Sequence, residues 1–171
     1  MISIVRAKES DSTLLSRIGK QTIVESHGHS SKKSDMDDYV EKNYSETFFQ
    51  DELMDDKNIY HIIFNDGLPA GYSKIIFNCP NANVPLQNVT KLERIYLMKE
   101  FYQMKLGQAL FDFNLKLSKE NSQAGMWLYV WKENQRAFNF YIKNRFRIIG
   151  DYDFKISETH SNPNYIMFLE F

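Results

Sequence analysis

The chain has 171 residues, of which 43% are hydrophobic and 15% aromatic, and its formal net charge is −1. This length suits one domain with a sizeable core, and the hydrophobic content excludes a disordered chain. No apolar run is long enough to cross a bilayer, the first residues lack a secretory pattern, and the single cysteine, Cys79, excludes an internal disulfide. We therefore expect one cytoplasmic domain over residues 1–171, with no membrane partner.

Charge is distributed unevenly along the chain. Residues 34–56 contain nine acids and one base, Lys42, a net charge of −8 that leaves +7 for the remainder. Such an asymmetry suits a protein that handles an anionic and a cationic ligand together, although a solvated acidic helix face is the alternative. No strongly basic stripe or nucleic-acid-binding motif is visible, which argues against a nucleic-acid partner.

The first half of the chain predicts a strand, several helices and a hairpin. Residues 2–6 are typical of a strand, and Asp11 can cap a helix over residues 12–25. A polar loop over 27–34 precedes an acidic helical region, broken in its middle, with apolar residues at Met36, Tyr39, Val40, Phe48, Phe49 and Leu53. Two strands, 59–64 and 71–77, are joined by Asn65-Asp66-Gly67, a strong hairpin signal.

The second half alternates strands and helices. After a loop over 78–90, the expected elements are a strand at 92–97, a core-facing helix from Leu106, a central strand at 126–131, a helix from Asn134, a strand at 146–149, a turn around Asn162-Pro163-Asn164 and a last strand at 165–171. These patterns predict one α/β domain with a mixed sheet.

Two segments of this half contain candidate binding residues. Asn134, Ala137 and Tyr141 are three and four residues apart, so they share one helix face. Gly107 lies at a strand-to-helix turn, where free N–H groups and the helix dipole favour an anion such as pyrophosphate. Neither a G-x-G-x-x-G fingerprint nor a P-loop is present.

The order of these motifs resembles the GNAT superfamily of acetyl-CoA-dependent N-acetyltransferases. The resemblance rests on residues 92–97 (L-E-R-I-Y-L), then Tyr102-x-x-Lys105-x-Gly107, then Asn134-x-x-Ala137-x-x-x-Tyr141-x-Lys143-x-x-Phe146. Within the superfamily, Glu93-Arg94-Ile95-Tyr96 and Trp127-Leu128-x-Val130-Trp131-x-x-Asn134 look most similar to PaiA-like bacterial spermidine/spermine acetyltransferases. Such a resemblance implies a fold of the α/β (α+β) class, with a mixed, mostly antiparallel sheet of about six or seven strands. It also implies about four flanking helices and splayed central parallel strands.

The resemblance also implies roles for individual residues. Backbone groups of Ile95, Tyr96 and Leu97 would bind the pantetheine arm of acetyl-CoA, and Asn134 would contact the cofactor near it. The pyrophosphate would be held around the turn formed by Tyr102, Gln103, Lys105, Leu106, Gly107 and Gln108. Tyr141 would lie beside the sulfur and protonate the leaving thiolate, and Glu93 would take the proton of the substrate amine, directly or through water.

Three residues depart from the family pattern. Tyr102 replaces the usual Gln or Arg, and Lys105 and Arg145 stand where relatives commonly have glycine. Lys105 can add charge for the pyrophosphate, or its side chain can crowd a turn that needs a glycine backbone. Near Arg145, we expect Asn144 to take the left-handed helix cap.

The function that the resemblance implies is transfer of acetyl from acetyl-CoA to a primary amine by direct attack in a ternary complex, without a metal. The acidic segment makes a cationic small molecule, a polyamine first, the expected acceptor. Two alternatives stay open: a non-catalytic acyl-CoA-binding or regulatory module, and an acetyltransferase acting on a protein N-terminus or lysine. A homodimer is an open alternative to a monomer.

Structural roles are the alternative for each candidate residue. Tyr141 can be an ordinary buried aromatic, Asn134 a helix cap, and Glu93 an ion-pair partner of a nearby base. His27 and His29, two histidines in a polar loop, are a weak signal for a metal.

Overall fold

The computed structural model describes every residue from Met1 to Phe171. It has seven strands: β1 Ile2–Arg6, β2 Ile59–Asn65, β3 Leu68–Ile76, β4 Val89–Leu97, β5 Gly125–Trp131, β6 Arg147–Lys155 and β7 Ser161–Glu170. It has five α-helices: α1 Ser12–His27, α2 Lys33–Tyr44, α3 Glu46–Met54, α4 Leu106–Glu120 and α5 Gln135–Lys143. Short 3-10 turns occupy Glu9–Asp11 and Lys99–Phe101. No helix is long and apolar enough to cross a membrane.

The strands form one mixed sheet in the order β1-β2-β3-β4-β5-β7-β6. The pairs β1–β2, β2–β3, β5–β7 and β6–β7 are antiparallel, whereas β4 and β5 are parallel. The parallel register covers only three positions, Val89 with Gly125, Thr90 with Met126 and Lys91 with Trp127. The expected mixed α/β fold is therefore confirmed, with five helices where about four were expected because the acidic region folds as both α2 and α3.

Contacts divide the chain into two compact units, each built from separated segments. The first contains Met1–Ile75 and Arg94–Asn114, and the second contains Ile76–Glu93 and Leu115–Phe171.

The first unit is built around an aromatic core. Phe49 of α3 is fully buried, with its ring edge-on to Tyr60 at 5.8 Å and to Tyr72 and Tyr44 at 6.3 Å. Gly19 of α1 allows this packing, because a Cβ there would lie 2.8 Å from Tyr44 Cδ1. The break between α2 and α3 falls at Ser45, whose hydroxyl accepts the Phe48 N–H at 3.1 Å and so caps α3.

The β2–β3 hairpin of this unit confirms the turn signal. Asp66 and Gly67 have φ of 50° and 78°, the left-handed conformations that a tight hairpin turn requires. Next to the turn, Ile63 lies opposite Gly71 but Phe64 lies opposite Pro69, so Ala70 is the extra residue of a bulge. Its carbonyl accepts the Met98 N–H at 2.9 Å, which fastens the end of β4 to β3.

The second unit is centred on β5, which is buried along almost its whole length. β5 pairs with β7 at seven consecutive positions, from Gly125 with Glu170 to Trp131 with Asn164. The Trp127 indole packs in this core and donates to the Cys79 carbonyl at 2.7 Å. Continuous apolar sequence at 126–131 thus gave a correct prediction of a central strand.

Two local predictions were wrong. The turn expected at Asn162-Pro163-Asn164 lies inside β7, and the chain reverses at residues 156–160 instead, where Ile156 and Ser157 N–H groups bond the His160 carbonyl. A strand tolerates proline near its start, and pairing with both β5 and β6 overrides the local turn preference. At the start of α1, Asp11 occupies the cap position, but its carboxylate instead accepts the Lys8 N–H at 2.8 Å.

Candidate functional site

The end of β4, in the first unit, places Ile95, Tyr96 and Leu97 beside a glycine of β3. All three are half-buried. A Cβ at Gly71 would lie 2.2 Å from the Tyr96 carbonyl oxygen, so only glycine allows the two backbones to approach this closely. The segment expected to bind pantetheine is therefore a strand end held firmly against β3.

The turn that follows β4 contains two left-handed residues. Gln103 has φ of 68° and Lys105 has φ of 61°, and both side chains are exposed, whereas Tyr102 is half-buried. Lys105 thus occupies a backbone conformation that favours glycine, as its departure from the family pattern suggested. The Lys105 side chain points into solvent, so the energetic cost of a lysine here comes from its backbone conformation.

Helix α4 begins directly after this turn and presents free backbone donors. The first helical hydrogen bond comes from the Ala109 N–H to the Lys105 carbonyl at 3.1 Å, and the N–H groups of Leu106 and Gly107 precede it. Leu106 itself is buried, and the Gln108 amide donates to Asp112 at 2.8 Å. The backbone, and not these side chains, is what the helix start offers to an anion.

Gly107 has no structural reason to be glycine. Its φ is not positive, and a Cβ there would meet only Leu97 Cδ1, at an ordinary contact distance of 3.5 Å. The missing side chain leaves open space beside free N–H groups. A ligand that approaches the backbone would use that space.

In the second unit, Asn134 links β5 to α5. Its N–H donates to the Trp131 carbonyl at 2.9 Å, and its side-chain oxygen accepts the Ala137 N–H at 3.2 Å. The helix-cap alternative for Asn134 is therefore observed. Its contact with a cofactor stays a prediction.

Tyr141 lies at the other end of α5 and is only 7% exposed. Its ring packs edge-on against Phe146, with centroids 5.5 Å apart. Burial raises the pKa of the Tyr141 phenol, and the nearby Arg136 charge opposes this effect. The hydroxyl is consequently protonated at neutral pH, which is the form that can donate to a thiolate.

A helix cap positions Tyr141. The Phe146 N–H bonds the Tyr141 carbonyl and the Arg145 N–H bonds the Ile142 carbonyl, both at 3.0 Å, which is the Schellman pattern. The left-handed residue is Arg145, with φ of 69°, whereas Asn144 has φ of −87°. The expectation that Asn144 takes the left-handed cap was wrong, because the hydrogen bonds that close the helix place Arg145 one residue past its end.

Glu93 also lies in the second unit and is half-buried. Its carboxylate pairs with Lys91 at 3.0 Å, and the Lys91 ammonium lies over the Trp127 and Tyr129 rings at 5.2 and 5.4 Å. The ion-pair alternative for Glu93 is thus present in the structure. Its role as a base stays a prediction.

The histidines have structural surroundings. His27 Nδ1 lies 2.7 Å from the Ser26 hydroxyl, its ring is edge-on to Tyr96, and burial, followed by the effect of His29, lowers its pKa to about 4. His61 is buried, with its ring centroid 4.8 Å from that of Phe113. No group of three or more His, Cys, Asp or Glu side chains in the chain could hold a metal ion.

Arg94 was missed by the reasoning from sequence. Arg94 lies on the same face of β4 as Leu92 and Tyr96, which are two positions away on either side. Its guanidinium carbon lies 4.4 Å from the centre of the Tyr44 ring. The sequence contains a signal for this placement, because an arginine with apolar residues two positions before and after it in a strand faces the same core as they do.

Comparison with known proteins places this arrangement in a family. Residues 24–146 match the acetyltransferase (GNAT) family. An uncharacterised N-acetyltransferase of the pepI 3' region in Lactobacillus delbrueckii subsp. lactis is 32% identical over 141 residues, which cover 82% of this chain and 81% of that protein. The chain therefore belongs to the acetyltransferase (GNAT) family, and it is an N-acetyltransferase, as the sequence motifs indicated.

Two further similarities involve Thermoplasma acidophilum. The crystal structure of its PaiA N-acetyltransferase in complex with coenzyme A superposes with a TM-score of 0.77 at 19% identity, covering 100% of this chain and 99% of that one. Its spermidine N(1)-acetyltransferase is 33% identical over 63 residues, 37% of this chain and 39% of that protein. The first similarity establishes the fold that was expected, and the second concerns only part of the chain.

Proposed function

We propose that this protein transfers the acetyl group of acetyl-CoA to a primary amine by direct attack in a ternary complex. The observation that carries the donor assignment is Gly107, a glycine that neither its backbone conformation nor its packing requires. It stands among the free N–H groups that begin α4, where a pyrophosphate would find donors and a favourable helix dipole. Lys105, exposed at the same turn, supplies a positive charge.

The chemistry needs two proton movements and no resident cofactor. The amine nitrogen bonds to the thioester carbonyl carbon, the carbon–sulfur bond breaks, the nitrogen loses a proton and the thiolate gains one. In this proposal the protonated phenol of Tyr141 donates to the sulfur. Glu93, whose carboxylate is paired with Lys91 at 3.0 Å, accepts the amine proton directly or through water.

An acidic surface supports a cationic acceptor. Most acids of α2, α3 and the residues beside them are exposed. Some are already paired, Asp37 with Lys33 at 2.8 Å and Glu41 with Lys20 at 3.1 Å, but the segment retains a large negative charge. Such a surface would attract an amine with more than one ammonium group, and we propose polyamines as the first acceptors to test.

The names of similar proteins agree with this proposal. One relative is a spermidine acetyltransferase and one structural neighbour was solved with coenzyme A. They support the choice of donor and of first acceptor.

A thiol-release assay tests the proposal. Purified protein is mixed with acetyl-CoA and spermidine, free thiol is followed over time, and a reaction without amine measures background hydrolysis. We expect release that depends on the amine and forms one acetylated amine per thiol, which mass spectrometry verifies. Coenzyme A binding by calorimetry with no transfer to any member of a broad amine panel would instead favour the non-catalytic module.

A further inference from the structure

A primary ammonium group is already bound in a side-chain cluster of the second unit, and it belongs to Lys91. Its Nζ lies 3.0 Å from the Glu93 carboxylate, 5.2 Å from the centre of the Trp127 ring and 5.4 Å from that of Tyr129. A carboxylate and two aromatic faces recognise an alkylammonium through a charge-assisted hydrogen bond and cation–π attraction. We call Glu93, Trp127 and Tyr129 the ammonium cage.

The two rings of the ammonium cage form a corner that is fixed independently of Lys91. Their planes meet at 79°, with centroids 5.1 Å apart. The Trp127 indole is buried and donates to the Cys79 carbonyl at 2.7 Å, and Tyr129, packed edge-on to it, is half-buried. Rings held in this way lose little conformational freedom when a ligand binds, which favours binding.

Lys91 is the movable part of this cluster. Its ammonium stands at the end of a flexible four-carbon stem. Lys91 and Glu93 are two residues apart on β4 and so face the same side of the sheet, and their side chains are 19% and 27% exposed. Solvent therefore reaches the ion pair, and the Lys91 ammonium can move into water while another ammonium takes its place.

The ammonium cage contains a residue of the proposed reaction. Glu93 is the proposed acceptor of the amine proton, and a base takes a proton directly only from a group within hydrogen-bond reach. In the structure, the Lys91 ammonium stands at that distance. A substrate ammonium that gives its proton directly to Glu93 has to occupy the same position.

We propose that the ammonium cage binds the reacting ammonium group of the acceptor, and that Lys91 fills the cage until the acceptor displaces it. The inference rests on the proposed function, because it assigns the place at which the amine meets Glu93. An acceptor gains the contacts of the cage only by breaking those of Lys91, so Lys91 weakens acceptor binding. A positively charged alkylamine fits this site, whereas a neutral alcohol lacks the charge that the carboxylate and the ring faces attract.

Two substitutions of Lys91 with opposite expected effects test the proposal. Lys91→Met keeps an unbranched apolar side chain but removes the charge, so the Kd of spermidine, measured by calorimetry without acetyl-CoA, should fall about tenfold. Lys91→Arg can hold the carboxylate by two parallel hydrogen bonds, so it should raise this Kd about threefold. In the thiol-release assay at saturating acetyl-CoA, the KM of spermidine should change in the same directions.

Lys116→Met is the matched control, because it removes the same charge from an exposed lysine that pairs with Glu120 at 3.7 Å. Spermidine should bind this variant as it binds the wild type, and an equal gain here would mean that net charge alone attracts the amine, which overturns the cage. Unchanged or weaker binding of spermidine by Lys91→Met also overturns it. Tighter binding by Lys91→Met without thiol release from any variant supports the cage and contradicts the transfer reaction. Amine-dependent thiol release with the same Kd and KM in all variants supports the reaction and rejects the cage.

Discussion

Two residues of α5 combine structural and proposed chemical roles. Asn134 caps the helix with its side-chain oxygen, which leaves its amide nitrogen available to another partner. Tyr141 is held by the ring of Phe146 and by the helix cap, so its phenol has a defined position. A proton donor that is fixed before the substrate arrives loses little entropy in the reaction. The alternatives raised for these residues are therefore compatible with the roles proposed for them.

Tyr141→Phe tests the role of Tyr141 as proton donor to the thiolate. Removing the hydroxyl keeps the buried ring, so we expect kcat to fall about 100-fold while the Kd of coenzyme A changes less than about twofold. Thiol-release kinetics and calorimetry measure the two quantities. Tyr152→Phe, at a residue that is 43% exposed on β6, is the control and should alter neither. An equal loss of turnover and affinity, or no loss of either, contradicts the donor role.

Among the secondary-structure elements, the sequence patterns predicted which strands and helices are present more accurately than the residues at which they begin and end. The apolar spacing after Leu106 gave α4, and Asn65-Asp66-Gly67 gave the β2–β3 turn. The errors at Asn162-Pro163-Asn164 and at Asn144 have a common cause, since local preferences of Asn and Pro were outweighed by hydrogen bonds to distant strands or to the preceding helix. The inward orientation of Arg94 could be read from its spacing in β4, but its ring neighbours Tyr44, Phe48 and Phe49 could not, because they lie on α2 and α3, far away in sequence.

The start of α4 gives a test that separates stability from binding. Gly107→Ala adds a methyl group that meets only Leu97 at 3.5 Å, so the protein should gain about 0.5 kcal/mol from improved helix propensity. The same methyl group fills the space that we assign to the pyrophosphate, and the Kd of coenzyme A should rise about tenfold. Urea unfolding and calorimetry measure the two effects. Lys116→Ala, exposed later in α4, should leave the Kd unchanged. A Gly107→Ala variant with unchanged Kd would contradict the pyrophosphate assignment.

The end of α5 gives a second test. Arg145 has φ of 69°, which costs a side-chain-bearing residue about 1–2 kcal/mol, whereas glycine loses about 0.5–1 kcal/mol of chain entropy. Arg145→Gly should therefore raise the free energy of unfolding by about 0.5–1 kcal/mol, measured by urea denaturation. Arg147→Gly, two residues later in β6, should lower it because glycine weakens a strand. No gain from Arg145→Gly would mean that the arginine makes compensating contacts.

For the whole molecule, the fold and family followed from sequence more readily than the electrostatics did. The order of motifs identified the family, and the family model matches residues 24–146. Ion pairs such as Lys91–Glu93 and Lys74–Glu52 depend on register and packing, which periodicity does not reveal. One fold is shared by proteins with different acceptors, so the acceptor has to be argued from the site and not from the fold.

The pH dependence of the whole fold follows from a buried histidine. Burial, with a smaller effect of Arg6, lowers the pKa of His61 to about 4 from 6.5. Above pH 6.5 the imidazole is neutral in the folded and unfolded states, so the contribution of neutral His61 to the free energy of unfolding is fully present. Between pH 6.5 and 4 the unfolded chain binds a proton that the folded protein does not, so stability falls as the pH falls, by about 3 kcal/mol for this residue. His27, whose pKa is also lowered to about 4, acts in the same direction.

Substituting His61 isolates its share of this loss. Urea unfolding from pH 4 to pH 7 should show a shallower decline in His61→Leu than in the wild type, because one titrating group has been removed. Ile62→Leu, a buried change at the next residue of β2, should lower stability about equally at every pH and leave the slope intact. A slope that His61→Leu does not reduce would mean that His61 gains its proton in the folded protein as readily as in the unfolded chain. The acid sensitivity would then come from His27.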